Sequence, residues 1–581
     1  MRFFISRKPL DTTRAEVAGL AQGLPNINWG QEGNVLKIST GGFSKIIVIS
    51  TMGLILALGA FIGYSLWSNP AKETKKEVKV KSDKITVAMP FDTFTGGFYP
   101  EIESYDIDAF GVMANFYETL VTFDENFKLK PLLAEGWDNP NDTTWRFHLR
   151  KNVKFHNGEA LKASDVKFSI NLAKESKSLG SYLSSISDVV VVDENTVEVK
   201  TASPNSAIIN RLTDVFILNE TVYKANGTSK PVGTGPYIFS ELKAGEFVKL
   251  AENKDYWGQK PYIKEVVFKP IEDNEKRTQA ILNREADIVF DVPPEDVTKI
   301  KENNKIKIAQ QSRYGVLFLV LDNSRVKTPD VSGVAANPFL DKKVRQAISL
   351  ALDRKALAAK TKTDIKAVPA YQAVTPYIFG YNTNLGEIKQ DIPKAKQLLA
   401  EAGYKDGFTF KVIFFGEKRK EFGEELKNQL SKIGINLTPE SLPPSEVSKI
   451  VFEDKNASSF MIGWYADSGD ATEVFEQVLS GESLGLGAYK SEAISKALSD
   501  AVATTDLKKK RAALEDAGKA FREEMPIIPL YTSFASYAYY SDIDFSPRVD
   551  GRPKIGATSG LEIQTIPPKS LWKRVLETLG L

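Results

Sequence analysis

WRFHLRKNVKFHNGEALKASDVKFSI, running from Trp145 to Ile170, is the stretch whose reading decides the fold. Trp145, Phe147 and Leu149 alternate with Arg146, His148 and Arg150, the period of two that buries one face of a strand. Lys151 and Asn152 make a turn, Val153 and Phe155 resume the alternation, and His156-Asn157-Gly158 turns the chain again. Ser164 stands where a helix cap is wanted, ahead of Val166, Ile170 and Ala173 at helical spacing. The pattern predicts strand, turn, strand, turn, helix, with nothing catalytic in it. His148 and His156 are the only histidines of the chain, and both fall in these strands, where a structural role outweighs a ligand role.

Upstream stand Tyr117-Glu118-Thr119-Leu120 and Pro131-Leu132-Leu133-Ala134-Glu135-Gly136-Trp137. Downstream come Pro231-Val232-Gly233-Thr234-Gly235-Pro236-Tyr237, Asn253-Lys254-Asp255-Tyr256-Trp257, Val344-Arg345-Gln346-Ala347 and Leu352-Asp353-Arg354. In this order these words resemble the signature of one family, the large extracellular solute-binding proteins of ATP-binding-cassette importers (family 5), of the oligopeptide, dipeptide and nickel type. The resemblance implies an α/β, two-lobed periplasmic-binding-protein-like fold of type II, its lobes joined by two crossings. Residues 85–322 would form lobe I, with an inserted subdomain at about 122–232; residues 323–528 would form lobe II, and residues 529–565 would return to lobe I. Tyr314–Asn323, YGVLFLVLDN, reads as a strand buried on both faces and by resemblance is the first crossing. Pro526–Tyr531, PIIPLY, marks the second. Asp341 and Asp391 are placed to cap helices, and the helix Asn274–Leu282 is followed by Arg284 where the family commonly has a helix-ending glycine.

Gly463-Trp464-Tyr465-Ala466-Asp467-Ser468-Gly469-Asp470 lies between an apolar strand, Phe460–Ile462, and a helical stretch, Thr472–Leu479. A carboxylate beside an aromatic ring at a strand end suits an ammonium group, through a charge-assisted hydrogen bond and cation–π attraction. In the peptide-binding members that this stretch resembles, the aspartate matching Asp467 pairs with the peptide α-ammonium, and backbone groups matching Gly463 and Tyr465 pair with the peptide main chain. Trp464 and Tyr531 complete the candidate ligand-binding set, Tyr531 as a residue facing the cleft. From the residues alone, a loop or capping role for Asp467 stays open, and Ala471 replaces the proline usual in the family.

The 76 Lys and Arg nearly cancel the 74 Asp and Glu, so no charge field points to nucleic acid. With no cysteine and two histidines, thiolate metal sites are excluded and no metal or other cofactor is expected; nickel is disfavoured as ligand for the same reason. Gly481-Glu482-Ser483-Leu484-Gly485 fits the nucleophile-elbow pattern, yet it follows a helical stretch and no histidine lies downstream, which argues against an enzyme. Ile46–Trp67 is an uncharged run, long enough at about 20 residues to span a bilayer, and sits too far from the N-terminus for a cleaved signal. Basic residues exceed acidic ones equally on its two flanks and lie closer on the C-terminal one, so the positive-inside rule is tied or slightly favours a cytoplasmic large domain; the resemblance to an extracellular receptor overrules it. The sequence therefore predicts a short tail (1–45), a signal anchor (46–67), a charged linker (68–84), the two lobes, and an amphipathic C-terminal extension (566–581). The expected protein is a single-pass, monomeric, extracellular or periplasmic receptor that captures short peptides and delivers them to an ATP-binding-cassette permease. The alternatives are a tethered receptor or sensor without transport, or a receptor for sugars or another small solute.

Overall fold

The computed structural model describes residues 83–91, 107–124, 127–361, 366–481, 488–543 and 545–555, with the backbone of four short strands, Asn28–Trp29, Leu36–Lys37, Val78–Val80 and Leu561–Ile563. The Ile46–Trp67 run, most of the charged linker, Glu482–Gly485 and the C-terminal extension lie outside the described residues. Among the described residues no helix is long and apolar enough to cross a membrane. The chain divides into two units, residues 1–77 with 565–581, and residues 78–564. The second unit holds the site.

Its frame is a 13-stranded mixed sheet. Lys84–Met89 runs parallel to Glu265–Pro270 on one side and to Ile288–Phe290 on the other. Val316–Leu321 is buried throughout, and its alternate residues serve two cores: Val316, Phe318 and Val320 pack into one, Leu317, Leu319 and Leu321 into the other. A continuous apolar run predicts such a strand, because both faces must be hydrophobic. The 13-residue strand Ile528–Tyr540 ties the sheet together. Its first half pairs with Val316–Leu321 and Ala367–Pro369, and its second half with Ile306–Ser312 and Ile288–Phe290. A third core lies under Lys84–Met89 and Glu265–Pro270 (Val87, Phe116, Phe268, Tyr537). A fourth lies between the helix Ala163–Glu175 and a four-stranded sheet that includes Thr144–Leu149.

Within the opening stretch two local expectations are corrected. Val153 and Phe155 are buried but do not form a second strand; a single bridge, Lys154 to Ala160, stands there. Ser164 does not cap the helix, which begins at Ala163; Asp165 instead accepts a hydrogen bond from the Lys162 N–H at 3.0 Å, folding the entry back on the first turn. Asp341 and Asp391 do cap their helices, accepting from the Lys343 and Lys394 N–H groups.

The signature words meet in space. Glu118 is buried, and its carboxylate accepts from Thr234 Oγ1 (2.9 Å), Tyr256 Oη (2.7 Å) and Trp257 Nε1 (2.8 Å), which joins its own motif to two others. His156 accepts at Nδ1 from the Gly233 N–H, leaving Nε2 to donate to the Gly235 carbonyl at 3.1 Å. Arg345 donates to the carbonyls of Met525, Phe339, Leu340 and Glu524 and to the Tyr489 hydroxyl, and Arg354 to those of Pro529 and Ser349. These two guanidiniums hold the start of the return strand by satisfying carbonyls that no ladder reaches.

Candidate functional site

The strand Ser459–Trp464 pairs antiparallel with Val316–Leu321, which sets Trp464 opposite Val316 and Gly463 opposite Leu317. Beyond Trp464 the chain turns, and the Tyr465 ring lies on the backbone of Gly315: a Cβ there would stand 2.4 Å from Tyr465 Cδ1, so only glycine fits. Tyr465 meets Tyr314 edge to face at 5.5 Å, and Tyr314 packs in turn on Phe127, 5.0 Å away. The loop is fixed from behind by Gly469, whose φ of +66° and contact with the Phe123 ring both exclude a side chain.

Asp467 sits in this loop with its carboxylate accepting a hydrogen bond from the Tyr314 hydroxyl. Burial raises its pKa, the Tyr314 hydrogen bond and Arg552 oppose the rise, and Asp214 and Asp550 add to it. Beside it Glu473 is raised as well, by burial and then by Asp467, although the Ser468 N–H (3.0 Å), Ser468 Oγ (2.8 Å) and Tyr182 Oη (3.0 Å) all donate to it. Two carboxyls that cannot both ionise cheaply thus stand together where the loop meets the helix Thr472–Ser480. Asp470 closes the loop through a buried ion pair with Lys510 at 2.5 Å, while its other oxygen accepts from the Thr472 N–H.

In front of Tyr314 and Tyr465 lies a cavity of about 190 Å³. Its walls come from distant segments: Phe290 and Asp291 at a strand end, Arg313 at the connection between two strands, Tyr537 on the return strand, and Arg548 and Asp550 beyond it. Arg313 pairs with Asp291 at 3.1 Å, and Arg548 with Asp550 through two nitrogens. Asp291 holds φ of +55°, a conformation that a non-glycine residue adopts at a cost of about 1 kcal/mol or more, and Arg277 braces it by donating to its carbonyl at 2.9 Å. The arrangement offers aromatic faces, two guanidiniums and several carboxylates in a small enclosed volume, which suits a compact zwitterion.

Of the predicted residues, Tyr465 lines the cavity, and Asp467 stands behind Tyr314. Gly463 is part of the strand ladder, and Trp464 packs partly buried against the core that holds Phe460 and Val474; among the described residues its buried indole N–H has no hydrogen-bond partner. Tyr531 does not face the cleft. It is fully buried among Phe422, Leu319 and their neighbours, and its hydroxyl accepts from Arg419 at 2.7 Å, because its place opposite Leu317 turns it into the core.

Residues 128–485 match the description "Bacterial extracellular solute-binding proteins, family 5 Middle", more than half of the chain. The chain belongs to this family. Family 5 proteins bind peptides or related ligands outside the cytoplasm and work with ATP-binding-cassette permeases; the relatives found are binding proteins, not enzymes. The chain is 27% identical over 505 residues to the glutathione-binding protein GsiB of Salmonella choleraesuis, covering 83% of this chain and 92% of the relative. Its fold is similar to that of the ABC transporter substrate-binding protein CtaP from Listeria monocytogenes (TM-score 0.72, 21% identity, 83% of this chain and 99% of that one). It is also similar to the periplasmic binding protein DppA of Helicobacter pylori in complex with the peptide STSA (TM-score 0.66, 23% identity, 83% and 98%).

For a family 5 receptor the sequence reading missed Arg313, Asp291 and Arg548. Each is a polar residue just outside an apolar run, a weak signal, and only the pairing of the return strand brings the three together.

Proposed function

We propose that this family 5 protein captures short peptides in the cavity in front of Tyr314 and Tyr465, with Asp467 receiving the peptide ammonium, and hands them to an ATP-binding-cassette importer. The observation that carries the reading is Asp467 itself, a part-buried carboxylate in the loop after a central strand, whose one hydrogen-bond donor among the described residues is a tyrosine hydroxyl at the cavity wall. An ammonium supplies both the charge and the donors that such a carboxylate lacks. A relative named for glutathione and a similar fold solved with a four-residue peptide point to the same ligand class. The aromatic walls hold ligand side chains, and closure of the lobes follows from contacts that only the closed form makes on both sides. The receptor acts as a monomer, and Ile46–Trp67 tethers it to the membrane with the lobes outside, a reading supported by that run's length and lack of charge.

Thermal unfolding of the full chain in detergent, with and without defined two- to six-residue peptides, tests the proposal. Peptide at 100 times its Kd adds about 2.7 kcal/mol and raises Tm. Asp467→Asn is expected to abolish the rise while leaving the ligand-free Tm near that of the parent. Absence of any rise in the parent protein sinks the peptide reading.

A further inference from the structure

Behind the ligand cavity lies a second, smaller one, of about 20 Å³, and the Arg548–Asp550 pair lines both. That volume exceeds what a single water needs and matches one small polar group. Its charged lining is uneven. Arg548 is paired with Asp550, and Arg552 with Asp214 at 2.9 Å. Glu118 has its oxygens taken by Thr234, Tyr256 and Trp257. Lys554 is left over: among the described residues its ammonium has neither a hydrogen bond nor an ion pair, although Glu118 and Asp550 are close enough to act on it through space.

A half-buried ammonium without a partner is an expensive arrangement, since burial of a charge is offset only by pairing. Burial indeed lowers the Lys554 pKa to about 8, with Arg548 and Lys130 pushing the same way and Glu118 and Asp550 opposing. Glu118 does not complete the pair, because burial raises its own pKa and three neutral donors already hold its oxygens in place. What restores balance is an anion that arrives with the ligand. Thr122 lines the same cavity and adds a hydroxyl that can donate to a carboxylate, whereas the Thr119 and Thr213 hydroxyls already donate to the Val121 and Asn210 carbonyls.

Resting on the peptide reading of the adjoining cavity, we propose that the Lys554 cavity is a side pocket for the carboxylate of an acidic ligand side chain, so that this receptor selects short acidic peptides. The pocket has the size of one small polar group. A neutral amide of the same shape leaves Lys554 unpaired and is rejected, because a site built to pair a group discriminates strongly against the analogue that lacks it.

The test is calorimetric titration of the full chain with Ala-Glu-Ala and Ala-Gln-Ala, which share both termini and differ only in side-chain charge. The expected result is binding of the glutamate peptide at least tenfold tighter than the glutamine peptide, with the difference lost in Lys554→Met and kept in Lys554→Arg. The preference is also expected to shrink above pH 8 as Lys554 deprotonates. Ligand-free melting of both variants separates a folding defect from a lost contact, and if Lys554→Met does not fold, the pH profile and the arginine variant decide. Equal affinity for the two peptides, or equal weakening of both by Lys554→Met, overturns the acidic side-pocket and leaves peptide capture standing. Binding of neither peptide removes the peptide reading, and this inference falls with it.

Discussion

Two carboxylates, the buried Glu118 and the part-buried Asp467, show how differently this molecule treats its framework and its candidate site. Glu118 accepts from three neutral donors, drawn from two other sequence motifs, which satisfy its carboxylate within the fold. Asp467 accepts from one tyrosine hydroxyl and stands beside Glu473, which burial and Asp467 together push toward the protonated form. A satisfied buried network rigidifies, whereas an under-satisfied one stores a demand for a partner. The signature words therefore belong to the framework, and the site lives where satisfaction is incomplete.

The widest gap between the two regions is in stability. Glu118→Ala strands the Thr234 hydroxyl, the Tyr256 hydroxyl and the Trp257 N–H in a buried place, and is expected to cost about 3 kcal/mol or more. Urea unfolding of the full chain measures this. A loss under 1 kcal/mol would mean that the three motifs are held by apolar packing and not by the carboxylate, which breaks the contrast.

Next in size is a pair of pH effects of opposite sign. Burial depresses His156 to about 4, and its Nδ1 already accepts from the Gly233 N–H, so a second proton has no place there. The unfolded chain takes up protons first, near pH 6.5, so His156 supports the fold fully above that value and the support fades as pH falls towards 4. For this partly exposed ring the loss amounts to about 2 kcal/mol. Glu473 is raised, so the folded chain holds its proton longer; its contribution is greatest below the ordinary glutamate range and is lost as pH rises through the raised value. Tm measured from pH 4 to 9 should thus show His156→Gln flattening the acid side and Glu473→Gln flattening the alkaline side. Flattening on the same side in both variants would erase the distinction.

The framework was legible in the sequence because its signals are local and redundant. Val316–Leu321 is apolar at every position, and two cores need that. The same property hid Tyr531: a strand buried on both faces carries no polar alternation to say which face a residue takes, and the bulge in its pairing beyond Leu317 sets the outcome. Ser164 is a competent cap, but the helix starts two residues earlier than that cap would require, which leaves Asp165 at its third position to reach back to the Lys162 N–H. The family resemblance singled out Asp467, but nothing in the sequence tied it to Tyr314. Arg313, Asp291 and Arg548 stand hundreds of positions apart or on separate strands, and nothing short of the three-dimensional register joins them.

The smallest effect bears most directly on the cleft. In the ligand-free molecule the Tyr314 hydroxyl holds one lone pair of Asp467 and so competes with an incoming ammonium for the carboxylate's charge. Tyr314→Phe removes that competitor and keeps the ring that packs on Phe127 and Tyr465. A hydrogen bond of this kind is worth about 1 kcal/mol net, so peptide affinity is expected to tighten about fivefold. The same bond also holds the Asp467 pKa down, so its loss makes the carboxyl harder to ionise, and the gain should be seen near pH 7.5 and shrink towards pH 6. Titration of a tripeptide into both proteins at the two pH values reads this directly. Weaker binding by the phenylalanine variant at both would make the hydroxyl a ligand contact in its own right, and Asp467 would then be a framework carboxylate of the Glu118 kind.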